Sequence, residues 1–109
     1  MGPMRSIRFP ILEGSTVSIV VRFTPEGLTA EQYDRTVRIL QEREGAWPPD
    51  GLDYHVCFGS DGHLLVSEIW DSREQFEAFG ARLTPILAET GITAAEPPQH
   101  FEVHNVLKR

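Results

Sequence analysis

The sequence predicts an α+β fold of the ferredoxin-like βαββαβ type, with a four-stranded antiparallel sheet. Three observations carry this. Runs rich in β-branched and aromatic residues alternate with helical stripes in the order strand, helix, strand, strand, helix, strand. Asp61-Gly62 sits between two alternating strands, which is a strong short-range hairpin signal. Both helical stripes open on capping-box spacings.

The first strand is Thr16 to Phe23, where Val17, Ile19, Val21 and Phe23 form one apolar face and Ser18, Val20 and Arg22 the other. Thr24-Pro25-Glu26-Gly27 breaks it. Thr29 then caps a helix, with Gln32 completing the capping box and Leu28 and Tyr33 at the hydrophobic-staple positions. Tyr33, Val37 and Leu40 continue the core stripe, and Gly45 is the expected stop. The stretch Ala46 to Gly51 is a connection.

Leu52 to Gly59 and His63 to Trp70 are the hairpin strands. A two- or four-residue loop pairs Phe58 with Leu65, Cys57 with Val66, Val56 with Ser67, His55 with Glu68 and Tyr54 with Ile69; a bulged three-residue loop would shift these pairs by one. Asp71 with Glu74, or Ser72 with Gln75, caps the second helix. Its stripe is Phe76, Phe79, Leu83, Ile86 and Leu87, with a kink or break expected at Pro85 and a stop at Gly91. His100 to Leu107 is the last strand.

Residues 1–15 read as an arm and residues 16–109 as a single domain. Met1 and Met4 leave the start of the chain open. The composition is 40% hydrophobic and 24% charged over 109 residues, ordinary for a globular chain. The net charge of −6 argues against nucleic acid and anionic membrane surfaces as partners. No apolar run approaches the roughly 20 residues of a spanning helix. The N-terminal stretch is too interrupted for a secretory signal, so a cytoplasmic protein is expected. One cysteine and four histidines form no motif with metal-ligand spacing, and no cofactor is expected.

Right-handed crossovers put both helices on one face of the sheet. On apolar content, that face is expected to carry Val17, Ile19, Val21 and Phe23 with Tyr54, Val56, Phe58, Leu65, Ser67 and Ile69. Phe101, Val103 and Leu107 would join it from the last strand. Ser18, Val20, Arg22, Asp53, His55, Cys57, Val66, Glu68 and Trp70 then fall on the uncovered face, opposite His100, Glu102, His104 and Val106. An uncovered face this apolar predicts a homodimer through a two-fold axis. A small-molecule pocket is expected in the shared interior or between sheet and helices.

The segment VSEIWDSREQFEAF, a polar strand running into Trp and then an Asp-Ser cap and two helical Phe residues, resembles the antibiotic-biosynthesis-monooxygenase-like group of dimeric α/β-barrel proteins. With the strand order, VSIVVRF and the terminal strand, the resemblance spans roughly residues 16–107. It implies a dimeric α/β barrel. It also implies a place among cofactor-free oxygenases of aromatic polyketides, haem-degrading enzymes, cyclases and small proteins of unknown role, many in secondary metabolism. The haem-degrading branch carries a functional aromatic where this chain has Phe79, and a haem-ligating His beyond it. No His lies between Asp71 and Gln99, so haem degradation is not expected. The oxygenase branch implies a Trp, an Asn and an Arg around an aromatic substrate, with Trp70 and Arg22 as candidates here.

His55 and Glu68 are the sharpest candidates for catalysis. As cross-strand neighbours they fall within hydrogen-bond reach, and a carboxylate that orients an imidazole suits general acid–base chemistry. The same pair also reads as a cross-strand ion pair that satisfies two polar groups in the dimer interior, which from sequence looks the same. Trp70 reads as a wall that stacks on a planar ligand, or as a core or dimer-interface Trp. Arg22 or His104 reads as an oxyanion stabiliser, or Arg22 as the partner of a carboxylate. A metal site of His55, Glu68 and His104 is conceivable but not demanded by spacing. Cys57 reads as a nucleophile only beside an activating base, otherwise as a small buried hydrophobe. The function expected is a small enzyme acting on an aromatic or enolisable molecule, as a cofactor-independent monooxygenase, cyclase or isomerase. The alternative is a non-catalytic binding or structural homodimer. A catalytic pocket calls for roughly 300 Å³ or more.

Overall fold

The computed structural model describes residues 17–44 and 47–109. The expected arm, the start of the first strand at Thr16, the helix stop at Gly45 and Ala46 lie outside the described residues.

Strands β1 (Ile19–Phe23), β2 (Leu52–Phe58), β3 (Leu65–Trp70) and β4 (Gln99–Glu102) alternate with helices α1 (Ala30–Ile39) and α2 (Arg73–Thr90) in the order βαββαβ. The sheet order is β2-β3-β1-β4 and every pairing is antiparallel, which makes the fold ferredoxin-like. β4 is shorter than the expected His100–Leu107, although the Val103 N–H still donates to the Ser18 carbonyl at 2.9 Å.

Local chemistry sets the element boundaries. Thr29 caps α1 through the full capping box: its hydroxyl accepts from the Gln32 N–H at 3.0 Å, and the Gln32 side chain accepts from the Thr29 N–H at 3.0 Å. A single π-helical turn, Leu40–Glu44, continues α1. Of the two caps available to α2, Ser72 with Gln75 forms. The helix then runs unbroken through Pro85 to Gly91, whose φ of 74° closes it in the left-handed region. The expected break is absent because Pro85 and Ala81, four residues earlier, are both exposed, so the freed carbonyl meets water rather than core.

The hairpin pairs are those read from the turn: Phe58 with Leu65, Cys57 with Val66, Val56 with Ser67, His55 with Glu68 and Tyr54 with Ile69. The Ser60 carbonyl accepts from the His63 N–H at 2.8 Å, with Gly62 at φ 89° between them. A bulge at Asp53 then shifts the register, so that Leu52 opposes Trp70.

The expected faces of β2, β3 and β4 are reversed. β1 pairs Ile19 with Trp70, Val21 with Glu68 and Phe23 with Val66. Directly opposed residues share a face. The helix side is therefore Ile19, Val21 and Phe23 with Val66, Glu68, Trp70, His55 and Cys57. His100 joins them opposite Val21, and Phe101 opposes Val20 on the outer face. Apolar content misleads here because the more apolar side of the hairpin is the side without helices. Tyr54, Phe58 and Phe101 are 52%, 38% and 52% exposed on that outer face.

The core between sheet and helices is Ile19, Val21, Leu40, Trp70, Phe76, Phe79 and Ile86. Trp70 and Val21 are fully buried. The Thr36 and Thr90 hydroxyls, 3.0 Å apart, link α1 to α2 inside it.

Candidate functional site

Four side chains form one chain of hydrogen bonds under the helices, with Trp70 and Glu68 buried and His55 and Tyr33 half-buried. Trp70 Nε1 donates to Glu68 Oε1 at 2.8 Å. Glu68 Oε2 lies 2.6 Å from His55 Nδ1. His55 Nε2 lies 2.7 Å from the Tyr33 hydroxyl. Glu68 and Trp70 stand two residues apart on β3 and so project from the same face. The hairpin register places His55 against Glu68, and the first turn of α1 lowers Tyr33 onto His55 with the rings stacked at 5.9 Å.

The donor inventory fixes the direction of the bonds. An indole N–H only donates and an ionised carboxylate only accepts. Nδ1–H therefore points to Glu68 in the neutral ring, and the Nε2 lone pair faces the Tyr33 hydroxyl. Glu68 is 3% exposed, and both of its oxygens are engaged, as burial of so polar a group demands.

Burial pushes the Tyr33 hydroxyl up to about 12, reinforced by the negative charges that Cys57, Glu68 and Asp34 would carry nearby. Tyr33 is thus a phenol, not a phenolate, over the physiological range. Burial, then the Asp34 charge, raises the Cys57 thiol. That opposes thiolate formation and leaves Cys57 a small half-buried residue rather than an activated nucleophile.

The relay opens on a half-open cavity of about 110 Å³ with an almost wholly apolar wall. Tyr33, His55 and Glu68 stand at its polar end. Phe23, Val37, Leu40, Val66, Phe79 and Leu83 supply the sides, and the exposed Thr93 and Ala94 also line it. Trp47 meets His55 edge-on at 5.2 Å and leans on Phe79 at 6.2 Å.

Of the residues singled out in the sequence, the fold brings His55, Glu68, Trp70 and Phe79 together. Trp70 is not a stacking wall, since it is fully buried against Phe76 and Phe79 and reaches the site through its indole N–H. Cys57 lies on the same face but not on the cavity wall. Arg22 is exposed on the opposite face, beside Ser67 and Gln99. His104 is exposed beyond the end of β4. Among the described residues no group of three or more His, Cys, Asp and Glu is placed to hold a metal ion. Tyr33 and Trp47 are the additions that sequence reasoning missed. The signal for Tyr33 was its hydroxyl: a tyrosine at a staple position buries an O–H that needs a partner.

No protein-family model and no curated protein matches the chain. Its fold is shared with antibiotic biosynthesis monooxygenase-like proteins of known structure. A provisionally named antibiotic biosynthesis monooxygenase from Chloroflexus aurantiacus J-10-fl superposes with a TM-score of 0.54 at 20% identity, over 86% of this chain and 98% of that one. SnoaB, a cofactor-independent oxygenase from Streptomyces nogalater, superposes with a TM-score of 0.53 at 18% identity, over 85% and 97%. Among the described residues no helix is long and apolar enough to cross a membrane.

Proposed function

We propose that this chain is a small enzyme that uses the Tyr33–His55–Glu68 relay for acid–base chemistry on an aromatic or enolisable molecule. The carrying observation is the Glu68–His55–Tyr33 chain of hydrogen bonds ending on an apolar cavity. Removing a proton from a phenol or enol in such a cavity leaves an electron-rich anion. That anion can react with dioxygen without a cofactor, or cyclise or isomerise by reprotonation. The oxygenase named among the structural neighbours supports the first of these. Glu68 holds the imidazole in one tautomer, and Trp70 holds Glu68.

The working form is proposed to be a cytoplasmic homodimer. The outer face of the sheet presents Val20, Tyr54, Val56, Phe58, Leu65, Ile69 and Phe101, with Arg22 as its charged residue. Two such faces stacked about a two-fold axis are self-complementary. Sedimentation should give a dimer that Phe58→Asp dissociates; a monomeric wild-type chain would refute this.

The cavity is about 110 Å³, below the roughly 300 Å³ of a typical ligand pocket. That observation favours the second reading, a module that binds without turnover. Dioxygen uptake and mass spectrometry on a panel of hydroxylated aromatics separate the two. The enzyme reading expects conversion by wild type and a loss of about 100-fold or more in His55→Gln. Stabilisation by a ligand without conversion supports the module. Equal conversion by both chains would overturn the role of His55.

A further inference from the structure

Resting on the acid–base reading above, we infer that Tyr33 is the catalytic residue that meets the substrate, and that the substrate is a neutral compound with a single ring and one hydroxyl or enol edge. Both ring nitrogens of His55 are already occupied, by Glu68 at 2.6 Å and by Tyr33 at 2.7 Å. No third group can reach the imidazole without displacing one of them. The Tyr33 oxygen, having donated its hydrogen to Nε2, still has lone pairs to accept from a ligand. Tyr33 itself lines the cavity.

The proton step balances along this chain. The substrate O–H bond breaks and its proton forms a new O–H bond on Tyr33. The original Tyr33 proton moves to His55 Nε2. The imidazolium that results is held by the Glu68 carboxylate. Tyr33 is neutral before and after, so no tyrosinate is required, and one proton has crossed from substrate to His55.

Size and charge define the substrate class. A closed apolar cavity of about 150 Å³ takes a benzene ring, and this half-open one is about 110 Å³. One ring fills it with its far edge in the mouth, and a fused second ring would stand largely outside the apolar wall. The charged side chain on the wall is an acidic one, Glu68, and among the described residues no Lys or Arg lines the cavity. A carboxylate or phosphate ester would enter with no counter-charge and next to a buried anion. Neutral phenols and enols are the ligands that remain.

The test uses 4-nitrophenol, whose ionised form is coloured, with wild type, Tyr33→Phe and His55→Gln. The buffer is set one pH unit below the probe's own pKa, where about one free molecule in ten is ionised. Wild type is expected to bind it and raise the phenolate absorption several-fold with no release of protons to the buffer. Tyr33→Phe, which keeps the ring, is expected to bind the probe and lose that rise, as is His55→Gln. Thermal melts of the free variants check folding. By the same melts, phenol is expected to stabilise wild type, while 1-naphthol and benzoate are not. If Tyr33→Phe still ionises the probe and His55→Gln does not, His55 acts directly: the inference fails and the acid–base reading stands. Comparable binding of 1-naphthol or benzoate overturns the substrate class alone. If wild type neither binds nor ionises any of these compounds, both readings fall.

Discussion

The Tyr33 hydroxyl offers a test that needs no substrate. Its upward shift is driven first by burial and then by the charges of Cys57, Glu68 and Asp34, and takes it from 10.0 to about 12. A folded-state value raised above the unfolded one favours the protonated form in the native state. That stability is fully present below pH 10 and is lost as pH rises towards 12. The gap between 10.0 and about 12 corresponds to at most about 2.7 kcal/mol. Tyr33 is only partly buried, and solvent screening brings this to about 1–2 kcal/mol. At neutral pH, Tyr33→Phe removes one hydrogen bond and leaves His55 Nε2 facing an apolar wall, which costs about 1–2 kcal/mol. Wild type should therefore be the more stable by that amount at pH 8, and the difference should shrink to near zero by pH 12. Urea denaturation of both chains at intervals from pH 8 to pH 12 measures it. Other groups that lose protons in this range do so in both proteins and cancel in the difference. A difference that stays constant across the range would refute the claim that Tyr33 is held as a buried phenol on His55.

Three shorter predictions concern the scaffold. Pro85→Ala should stabilise by about 1–2 kcal/mol in thermal melts. It restores the hydrogen bond to Ala81 inside α2, offset in part by the freer unfolded chain. Thr29→Ala should cost about 1 kcal/mol by removing the α1 cap seen at 3.0 Å. Cys57, held up by burial and Asp34, should react with iodoacetamide more slowly than a free thiol at pH 8, and at the free rate once urea unfolds the chain.

The strands, the helix caps and the hairpin's cross-strand pairs were legible because each rests on neighbours close in sequence. Asp61-Gly62 determines which residue meets which across the hairpin, and Thr29 with Gln32 determines where α1 begins. The His55–Glu68 contact followed from that turn alone. What the hairpin cannot state is which of its faces meets the helices. That depends on how β3 lies against β1, a pairing between segments about fifty residues apart, where a shift of one residue turns every side chain over. Apolar content suggested the side with Tyr54, Val56, Phe58, Leu65 and Ile69, and the pairing of Ile19 with Trp70 gives the other. Tyr33 was hidden for the same reason. Its place in the α1 stripe reads as core until His55 is known to lie beneath it.

The reversal means that this chain turns Glu68 and His55 inward under the helices and leaves an apolar face outside, which is costly for folding on both sides. A satisfied buried network is often no better for stability than apolar side chains of similar size, whereas a broken one is much worse. That asymmetry allows the network's purpose to be measured. Glu68→Leu alone strands the Nδ1–H of His55 and the Nε1–H of Trp70 and should cost about 3–5 kcal/mol. Adding His55→Leu and Tyr33→Phe removes the stranded imidazole and its hydroxyl partner, and leaves only the indole N–H unpaired, at about 1–3 kcal/mol. The triple variant should therefore be more stable than the single one by about 2 kcal/mol, the difference between the midpoints of those ranges, in urea denaturation, a non-additivity of the kind expected for groups in one network. If the three losses instead add, each side chain supports the fold independently, and the relay is structural. If the triple recovers stability while losing phenol ionisation, the fold does not need the relay, and chemistry is what remains to account for it.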